Sequence, residues 1–130
     1  MITTEDMALI ISRDLQGFGM VTYVKDHIPI GNVEKDGRIV ILPKTDDIGT
    51  YFDRCFVEVN FVLPDVREEP DIRLDDIERD AYRLFKDYKA GEYNGQWYNI
   101  TYSRRSRERD AQMKTSYVHF QLLFETLNTL

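Results

Sequence analysis

Cysteine is nearly missing from this chain, and that scarcity sets the first limits. Cys55 stands alone among 130 residues, so no internal disulfide and no thiolate metal site can form. It lies in the apolar stretch Cys55–Val57, where a buried thiol acts as a small hydrophobe. No apolar run approaches the ~18 residues of a membrane span. The first residues, Met1 to Asp6, lack the basic-then-apolar order of a secretory signal, and a cytoplasmic origin is expected. Excess positive charge is also lacking. Seventeen Lys and Arg against 23 Asp and Glu leave a net charge of −6, which argues against a general polyanion binder but leaves room for a local basic patch.

What is present suits one globular domain spanning residues 1–130. A chain of this length buries roughly two-thirds of its unfolded surface, and 42% hydrophobic with 31% charged residues is an ordinary balance. Thr3 or Thr4 caps a first helix, with Met7, Ile10, Ile11 and Leu15 on one stripe and a stop at Gly17 and Gly19. Short strands follow at Met20–Val24 and Arg38–Leu42, separated by a segment in which Pro29 and Gly31-Asn32 oppose a strand. Lys35-Asp36-Gly37 marks a tight turn, and Lys44–Thr50 reads as a polar loop. Arg54–Leu63 is the clearest strand: Cys55, Val57, Val59, Phe61 and Leu63 face one way, while Arg54, Phe56, Glu58, Asn60 and Val62 face the other.

After the charged connection Val66–Asp71, a second helix is predicted from Ile72 to about Lys89. Its apolar stripe is Leu74, Ile77, Ala81, Leu84, Phe85 and Tyr88, and Ala90-Gly91 ends it. Strands Trp97–Tyr102 and Tyr117–Leu127 repeat the amphipathic pattern of Arg54–Leu63, so the three are expected to share a sheet. The predicted order is α-β-β-β-α-β-β, an α+β domain with two helices on one face of a mainly antiparallel sheet.

Candidate chemistry is sparse. Pro64-Asp65 with Asp87-Tyr88-Lys89 imitates the carboxylate-and-lysine pattern of metal-dependent nucleases, but the strand that should carry the second half is absent. Asp75, Asp76, Glu78 and Asp80 spread around a helix instead of converging in a calcium loop. Gly17-Phe18-Gly19 lacks the rest of a dinucleotide fingerprint. His27 and His119 have no nucleophile placed beside them by sequence, although spacing alone leaves a triad open. A pocket holding either histidine beside a carboxylate would revive an enzyme reading. No catalytic residue, cofactor, metal or small-molecule substrate is assigned.

The segment Ser103–Ser116 stands apart. It carries Arg104, Arg105, Arg107, Arg109 and Lys114, and as a hairpin connection its 14 residues exceed the usual two to five. Three readings compete: a solvated loop, a projection docking on the acidic helix face (Asp75, Asp76, Asp80) of a neighbouring subunit, or a nucleic-acid contact. Arginine serves either binding role because its fork pairs with carboxylate or phosphate. Phe56, Tyr117 and Trp97 suit an interface or the edge of a core equally well.

The succession of features resembles the tail-terminator or tail-completion proteins of tailed bacteriophages and prophages. The likeness rests on the helix Thr4–Leu15, the segments Arg38–Pro43 and Phe56–Pro64, the helix Leu74–Lys89, the polar arm, and the strand Tyr117–Glu125. It implies a non-enzymatic virion protein, assembled in the bacterial cytoplasm as a homo-oligomeric ring, commonly a hexamer. Such a ring caps the tail tube and meets neck or connector proteins, without a cofactor and without a membrane. Rings close through heterologous interfaces, which the basic arm and acidic helix would supply. Glu58, Asn60, His119, Gln121 and Glu125 would then line a passage for transient transit of DNA. The alternative from a different class is a small nucleic-acid-binding protein using the arm 103–116.

Overall fold

The computed structural model describes residues 2–44, 47–48, 52–65 and 70–127. Its elements are α1 (Thr4–Asp14), β1 (Val21–Val24), β2 (Arg38–Pro43), β3 (Asp47–Ile48), β4 (Phe52–Pro64), α2 (Pro70–Phe85), β5 (Lys89–Tyr93), β6 (Gln96–Asp110) and β7 (Thr115–Leu127). The α+β class is as expected. One sheet runs β1-β2-β4-β7-β6-β5, with the two-residue β3 pairing β4 beside that path. Every pairing is antiparallel except β1 with β2. Within the expected polar loop Lys44–Thr50, Asp47–Ile48 is instead the strand β3, and the charged connection Val66–Asp71 is shorter than expected because α2 already begins at Pro70; residues 45–46, 49–50 and 66–69 lie outside the described residues.

Local chemistry starts α1 cleanly. Thr3 is the N-cap: its side chain accepts from the Asp6 backbone N–H, and the Asp6 carboxylate accepts from the Thr3 N–H, a reciprocal capping box. A 3₁₀ turn at Gln16–Phe18 follows, and Gly19 ends it at φ 66°. Gly37 is required for a different reason. Its φ is 86°, and an added Cβ would lie 2.6 Å from both the Leu63 side chain and the Val62 carbonyl.

Both helices pack on the same sheet face. Met7, Ala8, Ile10 and Ile11 of α1 and Leu74, Ile77, Ala81 and Phe85 of α2 are buried against it. The sheet supplies Ile39 and Ile41, Val57, Val59 and Phe61, and Val118, Phe120, Leu122 and Phe124. Phe120 sits at the junction, with ring centroids 5.9 Å from Phe61 and 5.5 Å from Phe85. Burying each such side chain contributes roughly 1.5–3 kcal/mol.

Two larger elements also need correction. The second helix stops at Phe85, before the expected Lys89, and Tyr88 is left 65% exposed. Residues Lys89–Tyr93 instead form the edge strand β5, paired antiparallel with Gln96–Ile100 of β6 through the turn Asn94-Gly95, whose φ values are 50° and 81°. That turn needs two left-handed residues, which Asn-Gly supplies. The arm Ser103–Ser116 is likewise no long loop. β6 continues to Asp110, β7 begins at Thr115, and only four residues make the turn.

Candidate functional site: the open sheet face and the arginine strand

The face away from the helices carries the polar half of each strand. Register arranges it in rows across β2, β4, β7 and β6: Leu42, Glu58, Gln121 and Arg104 in one, Val40, Asn60, His119 and Ser106 in the next. Phe56 and Leu123 pair in a further row, and Arg54 with Glu125 beyond them. All five residues assigned to a passage wall (Glu58, Asn60, His119, Gln121, Glu125) therefore share this face, on two adjacent central strands.

At the β1–β2 end the crossover segment folds back over the face. Arg38, only 5% exposed, donates to both Glu34 carboxylate oxygens at 2.8 Å and to the carbonyls of Asn32 and Pro29. Its guanidinium also lies 5.1 Å from the Tyr23 ring centroid. Burial alone would raise the Glu34 carboxyl, but bonds from Arg38, its own backbone N–H and the Tyr23 hydroxyl hold it below its ordinary value. Tyr23 is pushed upward chiefly by that hydrogen bond to Glu34. The network pins the crossover and leaves β4, β7 and β6 uncovered.

The uncovered part holds a polar depression of about 500 Å³, lined by Glu58, Asn60, Arg104, Ser106, Tyr117 and His119 among others. His119 Nδ1 is 2.6 Å from Asn60 Oδ1, and its Nε2 is 3.9 Å from Glu58 Oε1. Glu58 is itself paired with Lys44 at 3.2 Å. A histidine thus does sit near a carboxylate, at a distance too long for a hydrogen bond. Ser106 lies across from His119 in register, yet no hydrogen bond joins them among the described residues. Tyr117 donates to Glu108 at 2.7 Å, and that bond with burial pushes its phenol up to about 12. His27 is exposed on a separate 3₁₀ turn.

The arginines divide between the two faces because of a register shift between Tyr102 and Arg104. Before it, Tyr98, Ile100 and Tyr102 face the helices; after it, Arg105, Arg107 and Arg109 do. Arg105 donates to Glu78 at 2.8 Å and to the Tyr102 hydroxyl at 3.0 Å, with its guanidinium 4.6 Å from the Tyr82 ring centroid. Glu78 chiefly, then Tyr102, raise its pKa. Arg107 pairs with Asp75, and Arg109 with Asp65 at 2.8 Å. The arginine and acidic groups expected to meet across a subunit boundary are thus joined within one chain at Glu78 and Asp75. Asp76 and Asp80 instead make i,i+3 pairs with Arg79 and Arg83 on the exposed side of α2. Arg104 and Lys114 have no side-chain partner among the described residues.

The remaining sequence candidates separate. Asp65 also accepts from the Ser116 hydroxyl at 2.6 Å, while Lys89 reaches Asp14 at 3.4 Å, so the nuclease-like pattern does not assemble. Cys55 is buried, its thiol donating to the Lys44 carbonyl. Among the described residues no group of three or more His, Cys, Asp or Glu side chains converges as a metal site, and no helix is long and apolar enough to cross a membrane. The cradle of Arg105 is not legible in the sequence as a unit: Glu78 stands there only among the acids of the helix face, Tyr102 only as a strand residue, and Tyr82 carries no signal. Their spacing on α2 and β6 signals nothing until the register shift turns Arg105 toward them.

These features define an α+β protein with a one-sided sheet and a charged, extended hairpin. No family model matches the chain, and no curated protein matches it. Solved structures do match: one superposes with a TM-score of 0.61 over 98% of this chain and 92% of its own, at 12% sequence identity. At that identity the likeness concerns the fold alone.

Proposed function

We propose that this chain is a non-enzymatic phage or prophage assembly protein of the tail-terminator type, forming a homo-oligomeric ring that caps the tail tube and joins it to the head or neck. One observation carries the reading: the helices cover one face of the sheet, and on the other, which the crossover shields only at its β1–β2 end, Glu58, Asn60, His119, Gln121 and Glu125 stand together. A ring around a passage needs subunits with a packed outer layer and a polar inner wall. Carboxylates on that wall keep a passing polyanion from adhering.

The nucleic-acid-binding alternative is weakened by the pairing of Arg105, Arg107 and Arg109 with acids of the same chain. Phosphate neutralisation needs cations that are not already matched. The enzyme alternative has His119 and Glu58 in one depression, but among the described residues no nucleophile is hydrogen-bonded to the imidazole.

Electron microscopy and light scattering, on the purified protein alone and mixed with a phage tail-tube protein, test the proposal. Rings of several chains that end tube growth are expected. A single-chain mass in both settings, with DNA binding that falls steeply as salt rises, would overturn it in favour of the arm as a nucleic-acid contact.

A further inference from the structure

The turn between β6 and β7 is built as a rigid display. The Asp110 carboxylate accepts from the backbone N–H groups of Gln112 and Met113, both at 3.1 Å. The Lys114 carbonyl accepts from the Asp65 N–H at 2.7 Å, and Asp65 also holds Arg109 and Ser116. Lys114 adopts φ 52°, a left-handed conformation that a non-glycine residue keeps only when its surroundings enforce it. The residue all this presents is Met113, 58% exposed. Methionine is the most adaptable of the large apolar side chains in filling a foreign pocket, and here a cationic Lys114 stands next to it.

Elsewhere the chain has a matching recess. Between the end of α1 and the outer side of α2 lies a groove of about 420 Å³, with Phe18, Met20, Ile77 and Leu84 as apolar lining. Asp14, Asp76 and Asp80 stand on the same groove, against one lining cation, Arg73, which donates to the Asp36 carbonyl at 2.6 Å. Each of the three is paired with a cation of its own chain, Lys89, Arg79 and Arg83 respectively, at 3.2–3.5 Å. The side chains of all these pairs are about a third to nearly three-quarters exposed, so the pairs are weak and exchange readily. Met113 does not fill this groove in its own chain, since it remains open to solvent.

Building on the ring reading above, we infer that the Met113–Lys114 tip of one subunit docks in the α1–α2 groove of a second copy of this chain, Met113 entering the apolar lining and Lys114 facing Asp76 and Asp80. Tip and groove are different surfaces, so the contact is heterologous and repeats around a ring. Arg105 and Arg107 serve to hold the hairpin against its own α2, which aims the tip.

The test is a double variant that leaves Met113, Lys114, Asp76 and Asp80 in place, Gln112→Cys beside the tip with Gly17→Cys on the groove wall, where an added Cβ meets nothing within 4 Å, treated with a short bifunctional maleimide. Both positions are exposed, and circular dichroism of the variant checks that the fold is kept. A ladder of covalent oligomers is expected, exceeding the products of either single-cysteine protein by about tenfold or more, because docking raises the local concentration of the paired thiols. In that background Lys114→Glu or Asp76→Lys alone lowers the yield about fivefold, the effect of one rim ion pair, and the two together restore it. A double variant that yields no more than the single ones overturns the inference. Light scattering on the unmodified protein then separates the two failures. Assembly without the ladder places the interface elsewhere and leaves the ring reading standing, whereas a single-chain mass removes both.

Discussion

Tyr117 and Glu108 face each other across β6 and β7, and their hydrogen bond gives the open face an alkaline limit. The phenol pKa is raised from 10.0 to about 12, so the folded state holds the proton more tightly than the unfolded chain. Its contribution to stability is whole below pH 10 and is lost as pH rises toward 12. Titration followed by phenolate absorbance checks this: Glu108→Gln is expected to move the Tyr117 midpoint back toward 10, and an unmoved midpoint would rule out the carboxylate as cause. Glu34 has the opposite sign. Its lowered pKa stabilises the fold above the ordinary value of 4.5, and that support is lost as the medium becomes more acidic. At this scale the sequence was partly informative. Cys55 read as buried because apolar residues flank it. The partners of Arg105 and Arg38 could not be read, since each contact depends on which face a strand or crossover turns inward.

Strand β5 and the outer half of β6 are not legible in the sequence, for different reasons. β5 follows a helix whose apolar stripe, Leu84, Phe85 and Tyr88, continues past its true end, so residues 86–89 fit a helical period as well as an extended one. The Asn94-Gly95 pair was the available signal. Replacing both residues by alanine is expected to destabilise the protein by about 1–2 kcal/mol, measured by urea unfolding, because each must keep a left-handed conformation. An unaltered midpoint would show that the turn does not need them. The outer half of β6 was hidden because neither of its faces is apolar. One meets the carboxylates of α2 and Asp65, the other is open, so hydrophobic alternation vanishes where the strand persists. Its charge also has a plain structural use: β5 covers β6 only as far as Ile100, and charged side chains blunt the remaining free edge against unwanted strand pairing. The clearly amphipathic β4 and β7 and the helical stripes of α1 and α2 were legible, since burial on one side leaves its period in the sequence.

For the molecule as a whole, the sheet order matters more than any single contact. β7 comes last among the strands in the chain yet lies at the centre of the sheet, between β4 and β6. Phe52 pairs with Leu127 at one end of the β4–β7 ladder, and Pro64 with Thr115 at the other. Phe120, on which the aromatic core converges, belongs to this same strand. Contacts between residues so distant in the chain form late, after the cost of closing a long loop is met. Ribosome-bound chains halted before Thr115 are therefore expected to be cut rapidly by a protease, with resistance arriving abruptly once Leu127 clears the exit tunnel. Gradual protection with length would contradict this. A chain cut short before Thr115 would thus carry β4 with one side of its backbone bare, an open template for stray strands that marks it for rapid disposal.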